Sequence, residues 1–170
     1  MAAGTVVGGS VLSSLLGTSG CTPTAKEKRI GLQLYSLREA MGQDPAGTLK
    51  LVADMGYREL ETASYNDGKV YGYAPEEFRK ICEDLGMNVS SSHLGHPYTP
   101  ETEAEVLAWW DKALDTQKAV GCRYARMPAF PIGETLDQIQ LYCDYFNKVG
   151  ERAASRGVQF GFHHHAGEFK

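Results

Sequence analysis

The stretch that decides the fold is Gly157-Val158-Gln159-Phe160-Gly161-Phe162-His163-His164-His165-Ala166-Gly167-Glu168-Phe169. Side chains on a β-strand alternate between its two faces, so the apolar residues share one face, namely Val158, Phe160 and Phe162. The small and polar residues share the other face, namely Gln159, Gly161, His163 and His165. A strand with helices on its apolar side and an enclosed space on the other is typical of a β/α-barrel, whose active site lies at the C-terminal ends of its strands. His163 and His165 are therefore predicted to face the mouth of a site, and His164 to face away from it.

One pattern occurs four times along the chain. An amphipathic helix ends in a glycine, and the apolar residue that follows begins a strand. The four glycines are Gly56, Gly86, Gly121 and Gly157. Successive glycines lie 30, 35 and 36 residues apart. Glycine suits the left-handed conformation that ends many helices, and a helix-plus-strand repeat of this length is the βαβ unit of a parallel sheet.

Hydrophobic periodicity predicts five strands and four helices. The predicted strands are Arg29–Tyr35, Tyr57–Glu61, Met87–Ser92, Arg123–Met127 and a fifth that opens at Val158. The predicted helices run from Asp44, as N-cap, to about Met55, and over Ala74–Leu85, Glu103–Val120 and Thr135–Arg156. A closed (β/α)8 TIM barrel needs eight units and about 250 residues, so we expect residues 29–170 to form its first five units, from a truncated reading frame. A doubly wound sheet is the alternative, but no G-x-G-x-x-G or Walker motif follows any strand.

Residues 1–28 differ in composition from the rest of the chain. The first 20 residues contain no charged residue and no histidine, and Leu16-Gly17-Thr18-Ser19-Gly20-Cys21 is similar to a bacterial lipoprotein processing site. Met1-Ala2-Ala3, however, supplies no basic region. We expect an exported protein, either periplasmic or anchored to the membrane through a lipidated Cys21. The alternative is a cytoplasmic protein with a low-complexity N-terminus.

Charge and hydropathy narrow the class of protein. The net charge of −4 and the sequence pI near 5.7 disfavour a nucleic-acid partner, because such surfaces are usually basic. No segment reaches the roughly 18–20 apolar residues that a membrane-spanning helix needs. A globular enzyme or binding protein for a small molecule remains, and no oligomeric state is predicted.

Four segments resemble the sugar phosphate isomerase/epimerase family of the xylose isomerase-like TIM barrel superfamily. They are Ile30–Arg38, Gly56–Glu61, Ser91–Gly95 and Gly161–Phe169. The resemblance implies a small carbohydrate substrate and a divalent metal ion, manganese, magnesium or cobalt, at the C-terminal mouth. In the epimerases the ligands come from the ends of strands five to eight. The ligand position on strand five is glutamate in those enzymes and matches His163 in this chain.

The candidate site residues lie at or near the predicted strand ends. His163 is predicted to bind the metal, and His165 to bind substrate; the alternative for both is a hydrogen-bonded polar lining of a pocket. Glu61 and His93 are the candidate catalytic residues, since a buried carboxylate or an imidazole can move a proton next to a carbonyl. The alternative for Glu61 is a surface acid or one that pairs with a helix. His93 can also bind the metal or hydrogen-bond a sugar hydroxyl, and the alternative is a histidine outside the site.

Two residues of the first predicted strand, Gln33 and Tyr35, face inward on this pattern. They are predicted to bind substrate, with plain filling of the barrel as the alternative. Arg126, near the end of the fourth predicted strand, can bind phosphate or form a salt bridge. Trp109 and Trp110 lie in the middle of a predicted helix, and at least one of them is expected in the core.

These expectations favour a metal-dependent sugar isomerase or epimerase, or a related keto-sugar lyase or dehydratase. The metal would bind the carbonyl and hydroxyl oxygens and stabilise an enediolate, while a carboxylate or histidine moves the proton. A carbohydrate-binding barrel lipoprotein without turnover is the alternative from another class. An endonuclease of the same superfamily is disfavoured by the acidic charge.

Overall fold

The computed structural model describes Met1 and residues 30–131 and 133–166. Its strands are β1 (Gly31–Gln33), β2 (Glu59–Thr62), β3 (Asn88–His93), β4 (Tyr124–Met127) and β5 (Gln159–Phe162). Its α-helices are α1 (Arg38–Gln43), α2 (Pro45–Asp54), α3 (Pro75–Asp84), α4 (Glu103–Val120) and α5 (Leu136–Ala154). Two short 3-10 helices occupy Leu34–Leu37 and Pro100–Thr102.

The five strands form one parallel sheet in the order β1-β2-β3-β4-β5. Each crossover therefore joins neighbouring strands, and right-handed crossovers of this kind place all connecting helices on one face of the sheet. A doubly wound sheet instead reverses its strand order at a switch point. The prediction of a partial (β/α)8 barrel is confirmed.

Local signals in the sequence account for most element ends. Gly56, Gly86, Gly121 and Gly157 all have positive φ angles, of 95°, 72°, 103° and 75°, as the predicted left-handed helix ends require. Asp44 caps α2, because its carboxylate accepts a hydrogen bond from the Gly47 amide at 3.0 Å. The repeating unit read from the sequence is therefore the repeating unit of the fold.

One predicted boundary is wrong. The first strand was expected to continue through Tyr35, but it ends at Gln33 and residues 34–43 are helical. A helical path brings residues seven apart onto one side, and Leu34 and Met41 are both buried in the core that β1 shares with α2. The burial of these two side chains thus outweighs the alternation of apolar and polar residues that favoured a strand.

The core lies between the sheet and the helices in two clusters, centred on β1–β3 and on β3–β5. Trp110 is fully buried in the second cluster, and its indole Nε1 donates to the Tyr145 hydroxyl at 2.7 Å. This bond joins α4 to α5. On β2, Leu60 packs into the core, whereas Glu61 lies on the opposite, inner face of the sheet. Apolar residues therefore cover the helix side, and polar residues remain on the barrel side.

The predicted export segment, with Cys21, lies outside the described residues. Among the helices of the described part of the chain, none combines the length and the apolar character needed to cross a membrane.

Candidate metal centre

An irregularity in β3 sets the orientation of the site. Leu60 pairs with Val89, but the next residue, Glu61, pairs with Ser91, so Ser90 is an extra residue in the ladder. Such bulges change the face to which the following side chains point. Val89, which precedes the bulge, is buried in the core on the helix side. After the bulge, Ser91 and His93 reach Glu61 on the inner face.

Three of the predicted site residues meet at this inner face. They are Glu61 on β2, His93 at the end of β3 and His163 immediately after β5. The Nε2 atom of His93 lies 3.0 Å from Oε1 of Glu61 and 3.1 Å from Nδ1 of His163. One ligand atom from each residue lies within 4.8 Å of the others. The structure thus joins His163, the predicted metal ligand, to the two predicted catalytic residues.

The contacts of His93 Nε2 conflict with one another. This nitrogen also lies 2.8 Å from Nε2 of Gln33, which in turn donates to Glu61 Oε1 at 2.7 Å. If His93 Nε2 carries a proton, two donors face each other, this N–H and the amide N–H of Gln33. If Nε2 carries no proton, its lone pair is repelled by the negative charge of the Glu61 carboxylate. Exchanging the positions of the nitrogen and oxygen of the Gln33 amide does not help, because its carbonyl oxygen would then lie beside the carboxylate of Glu61 and repel it. With Glu61 ionised, as its pKa of about 2 requires at neutral pH, no assignment of protons satisfies every contact.

A divalent cation fits this donor set. One carboxylate oxygen and two imidazole nitrogens are ligands that zinc, manganese and cobalt accept. A cation between Glu61, His93 and His163 would be attracted to all three facing lone pairs and would remove the conflict around His93 Nε2. The residues present therefore fit a divalent metal ion, the cofactor that the family resemblance implies.

Electrostatics keeps Glu61 ionised. Burial raises the pKa of its carboxyl, but hydrogen bonds from His93, Gln33 and Ser91 outweigh burial and lower the pKa to about 2. Ser91 Oγ donates to Glu61 Oε2 at 2.5 Å, and Nη1 of Arg126 lies 3.6 Å from the same oxygen. Arg126 thus forms a long ion pair, which was one of its two predicted roles.

Burial also favours the neutral form of His163. It lowers the pKa of the imidazole, and the neighbouring His93 and His165 lower that pKa further. A neutral imidazole and an ionised carboxylate are the protonation states in which these groups bind metals.

The low pKa of Glu61 predicts a pH-dependent contribution to stability. Glu61→Gln is expected to reduce the free energy of unfolding of the metal-free protein by about 3 kcal/mol at pH 7, since one unit of pKa is worth about 1.4 kcal/mol. The folded-state pKa of about 2 lies below the ordinary 4.5, so the carboxylate stabilises the fold above about pH 4.5. The difference between the two proteins is expected to shrink as the pH falls towards 2. Urea denaturation of both proteins across this range measures it, and a difference independent of pH would contradict the prediction.

A pocket of about 360 Å³ borders two of the three residues, His93 and His163. It is lined by Gln33, Tyr35, Ala63, His93, Leu94, Gly95, Pro128, Ala129, His163 and His165. The three predicted substrate-binding residues, Gln33, Tyr35 and His165, are thus all in its wall. Tyr35 reaches the pocket from a 3-10 helix rather than from a strand, and its side chain is exposed. The ring of His165 lies 4.7 Å from that of His163.

Sequence reasoning assigned no role to Ser91. The available signal was the run Ser90-Ser91-Ser92 before His93, but the face that each serine occupies depends on the bulge. A strict alternation from Val89 would have placed Ser91 with Val89 on the helix side.

The sequence matches the profile of the xylose isomerase-like TIM barrel family over residues 49–170. Two solved structures of a sugar phosphate isomerase/epimerase from Parabacteroides distasonis ATCC 8503 are similar to the chain. One is 33% identical with a TM-score of 0.75, covering 84% of this chain and 57% of that one. The other is 31% identical with a TM-score of 0.76, covering 90% of this chain and 57% of that one. The chain thus spans little more than half the length of these relatives.

A more distant structure, the IolI protein with a binding zinc atom, is 12% identical with a TM-score of 0.61, covering 79% of this chain and 51% of that one. At that identity the likeness concerns the fold. None of the curated proteins matches the sequence significantly.

Proposed function

The chain belongs to the xylose isomerase-like TIM barrel family, and from this premise we propose that it is part of a metal-dependent sugar isomerase or epimerase that works through an enediolate. A keto-sugar lyase or dehydratase uses the same first step, removal of a proton from a carbon next to a carbonyl. The similarity to sugar phosphate isomerase/epimerases supports the carbohydrate substrate.

The observation that carries the proposal is the convergence of Glu61, His93 and His163 beside a pocket. In this proposal the three residues hold a divalent ion, of which manganese, cobalt and zinc suit the mixed oxygen and nitrogen ligands. When bound, the ion supplies Lewis-acid stabilisation of negative charge on substrate oxygens. The ionised Glu61 offsets part of the ion's charge, and the partly buried His163 is poised as a neutral ligand.

The pocket wall suggests how the substrate is held. Its volume of about 360 Å³ falls within the roughly 300–1,000 Å³ of small-molecule sites. Leu94 and Pro128 form apolar parts of the wall that exclude water from one side of a sugar. Tyr35 and His165 offer hydrogen bonds to hydroxyl groups at the rim. Among the histidines of this wall, His165 is the one outside the proposed ligand set, so its imidazole is the group that we assign to proton transfer.

The proposed location favours free sugars and keto-glycosides as substrates. An exported, periplasmic or Cys21-anchored protein seldom meets sugar phosphates, which are retained in the cytoplasm. The net charge of −4 also supports a small carbohydrate rather than DNA, whose binding surfaces are usually basic.

Solvent-hydrogen exchange tests the proposed activity. The full-length protein, loaded with Mn²⁺, is incubated in D₂O with free ketoses and 3-keto-glycosides, and deuterium at the carbon next to the carbonyl is followed by NMR. We expect exchange that requires the metal and that falls in His165→Ala. Sugar binding without exchange, measured on the same loaded protein, would contradict the enzyme and favour the carbohydrate-binding alternative.

A further inference from the structure

Ser91 has an ordered role beside the metal centre. We propose that Ser91 is a positioning residue for metal binding, whose hydroxyl holds Oε2 of Glu61 so that Oε1 faces the imidazoles of His93 and His163. The inference rests on the proposed metal centre and adds to it a residue that contacts neither the ion nor the substrate.

The contact between Ser91 and Glu61 is short and sheltered. Ser91 Oγ donates to Oε2 at 2.5 Å, and Ser91 is only 4% exposed. The Glu61 side chain is 13% exposed. A charge-assisted hydrogen bond with little competition from water restrains the carboxylate more strongly than a surface contact does.

Among the described partners of Glu61, Ser91 is the one that donates a close hydrogen bond to Oε2, the oxygen other than the one that faces His93. Gln33 donates to Oε1 and also touches His93 Nε2, so its amide would have to turn away from these two atoms when they bind an ion. Arg126 approaches Oε2 only to 3.6 Å, and its side chain is 45% exposed. Ser91 instead bonds the oxygen that points away from the histidines, and this bond can persist when Oε1 binds the ion.

The bulge at Ser90 is what brings this hydroxyl to Glu61. It pairs Glu61 with Ser91 and leaves Ser92 on the helix side, where its hydroxyl is buried near the thiol of Cys122 and away from Glu61. Both serines are buried, and of the two Ser91 is the one that donates a hydrogen bond to Glu61. Ser92 is therefore a matched control for Ser91.

Titration of the full-length protein with Co²⁺, followed by the visible absorption of the bound ion, tests the inference. Ser91→Ala is expected to weaken Co²⁺ binding by about 10–100-fold, the usual effect of losing a hydrogen bond to a ligand, with unchanged stoichiometry. Ser92→Ala is expected to bind as the wild type does. Circular dichroism of the metal-free proteins checks that both variants retain the fold.

A double-mutant cycle with Glu61→Gln separates positioning from a general structural effect. If Ser91 acts through Glu61, adding Ser91→Ala to Glu61→Gln will produce little further loss of Co²⁺ affinity. Additive losses, or wild-type affinity in Ser91→Ala, would overturn the role of Ser91 while leaving the metal centre in place. Absence of Co²⁺ binding by the wild type would overturn both proposals.

Discussion

Replacing His163 by alanine is expected to abolish stoichiometric binding of a divalent metal ion. His163 supplies one of three ligand atoms that lie within 4.8 Å of one another, and two ligands on β2 and β3 hold an ion far less well than three. The loss of affinity should exceed the roughly 10–100-fold that removal of an outer partner costs. Elemental mass spectrometry of the wild type and His163→Ala, each reconstituted with Mn²⁺, Co²⁺ or Zn²⁺, measures it.

His164→Ala is the matched control, because it changes the same residue type one position away and outside the group of three. We expect it to retain about one ion per chain, like the wild type. If His163→Ala also retains the ion, His163 is not a ligand, although a metal centre would remain. If neither variant nor the wild type binds metal after reconstitution, the proposed reaction loses its Lewis acid, and a carbohydrate-binding protein becomes the better proposal.

Replacing Trp110 by alanine is expected to lower the free energy of unfolding by about 3–5 kcal/mol, the usual cost of removing a buried tryptophan side chain. Trp110 is fully buried and packs edge-on against Phe160 of β5, with ring centroids 5.5 Å apart. Its loss also leaves the buried hydroxyl of Tyr145 without the indole donor. Because domains of this kind are stable by only about 5–15 kcal/mol, such a variant should be close to unfolding.

Urea denaturation followed by circular dichroism measures this effect, and two variants divide it into its causes. Tyr145→Phe keeps the ring but removes the acceptor of the buried Trp110 indole N–H, so it should cost about 1–3 kcal/mol. Trp109→Ala removes a neighbouring ring that is only partly buried, and a smaller loss is expected. If Trp109→Ala and Trp110→Ala lower the free energy of unfolding equally, Trp110 does not contribute more than Trp109 to the packing of α4 against the sheet, and the prediction is contradicted.

Much of the fold was predictable because its signals are local. The helix of Glu103–Val120 has the predicted bounds, and the left-handed glycines mark where α2, α3, α4 and α5 end. Where the alternation of side chains competed with burial, as at Leu34, the prediction failed. The alternation of polar and apolar residues over a short segment indicates whether it is a strand or a helix. It does not show which side chains, distant in sequence, will pack on the ends of that segment.

The candidate site was predictable residue by residue, but not as an arrangement. Glu61, His93 and His163 are each identified from their position at a strand end, Glu61 and His93 as candidate catalytic residues and His163 as the metal ligand. Their meeting depends on parallel strands placing their C-terminal ends at one edge of the sheet, which joins His93 to a residue 70 positions away. The contacts around His93 Nε2, which favour a shared ion over separate roles, exist only after that edge has formed.

By itself, the sequence determined the repeating βα unit, the helix ends and the candidate chemical groups, because side-chain periodicity and glycine conformations act over a few residues. The tertiary structure alone decided that Ser90 is an extra residue in β3 and that Ser91, rather than Ser92, faces Glu61. Strand register is set by the fit of two strands that are distant in sequence, and a shift of one residue moves every following side chain to the other face. The sequence thus determines which residue types are available for the metal centre, and the register of the sheet determines which of them meet.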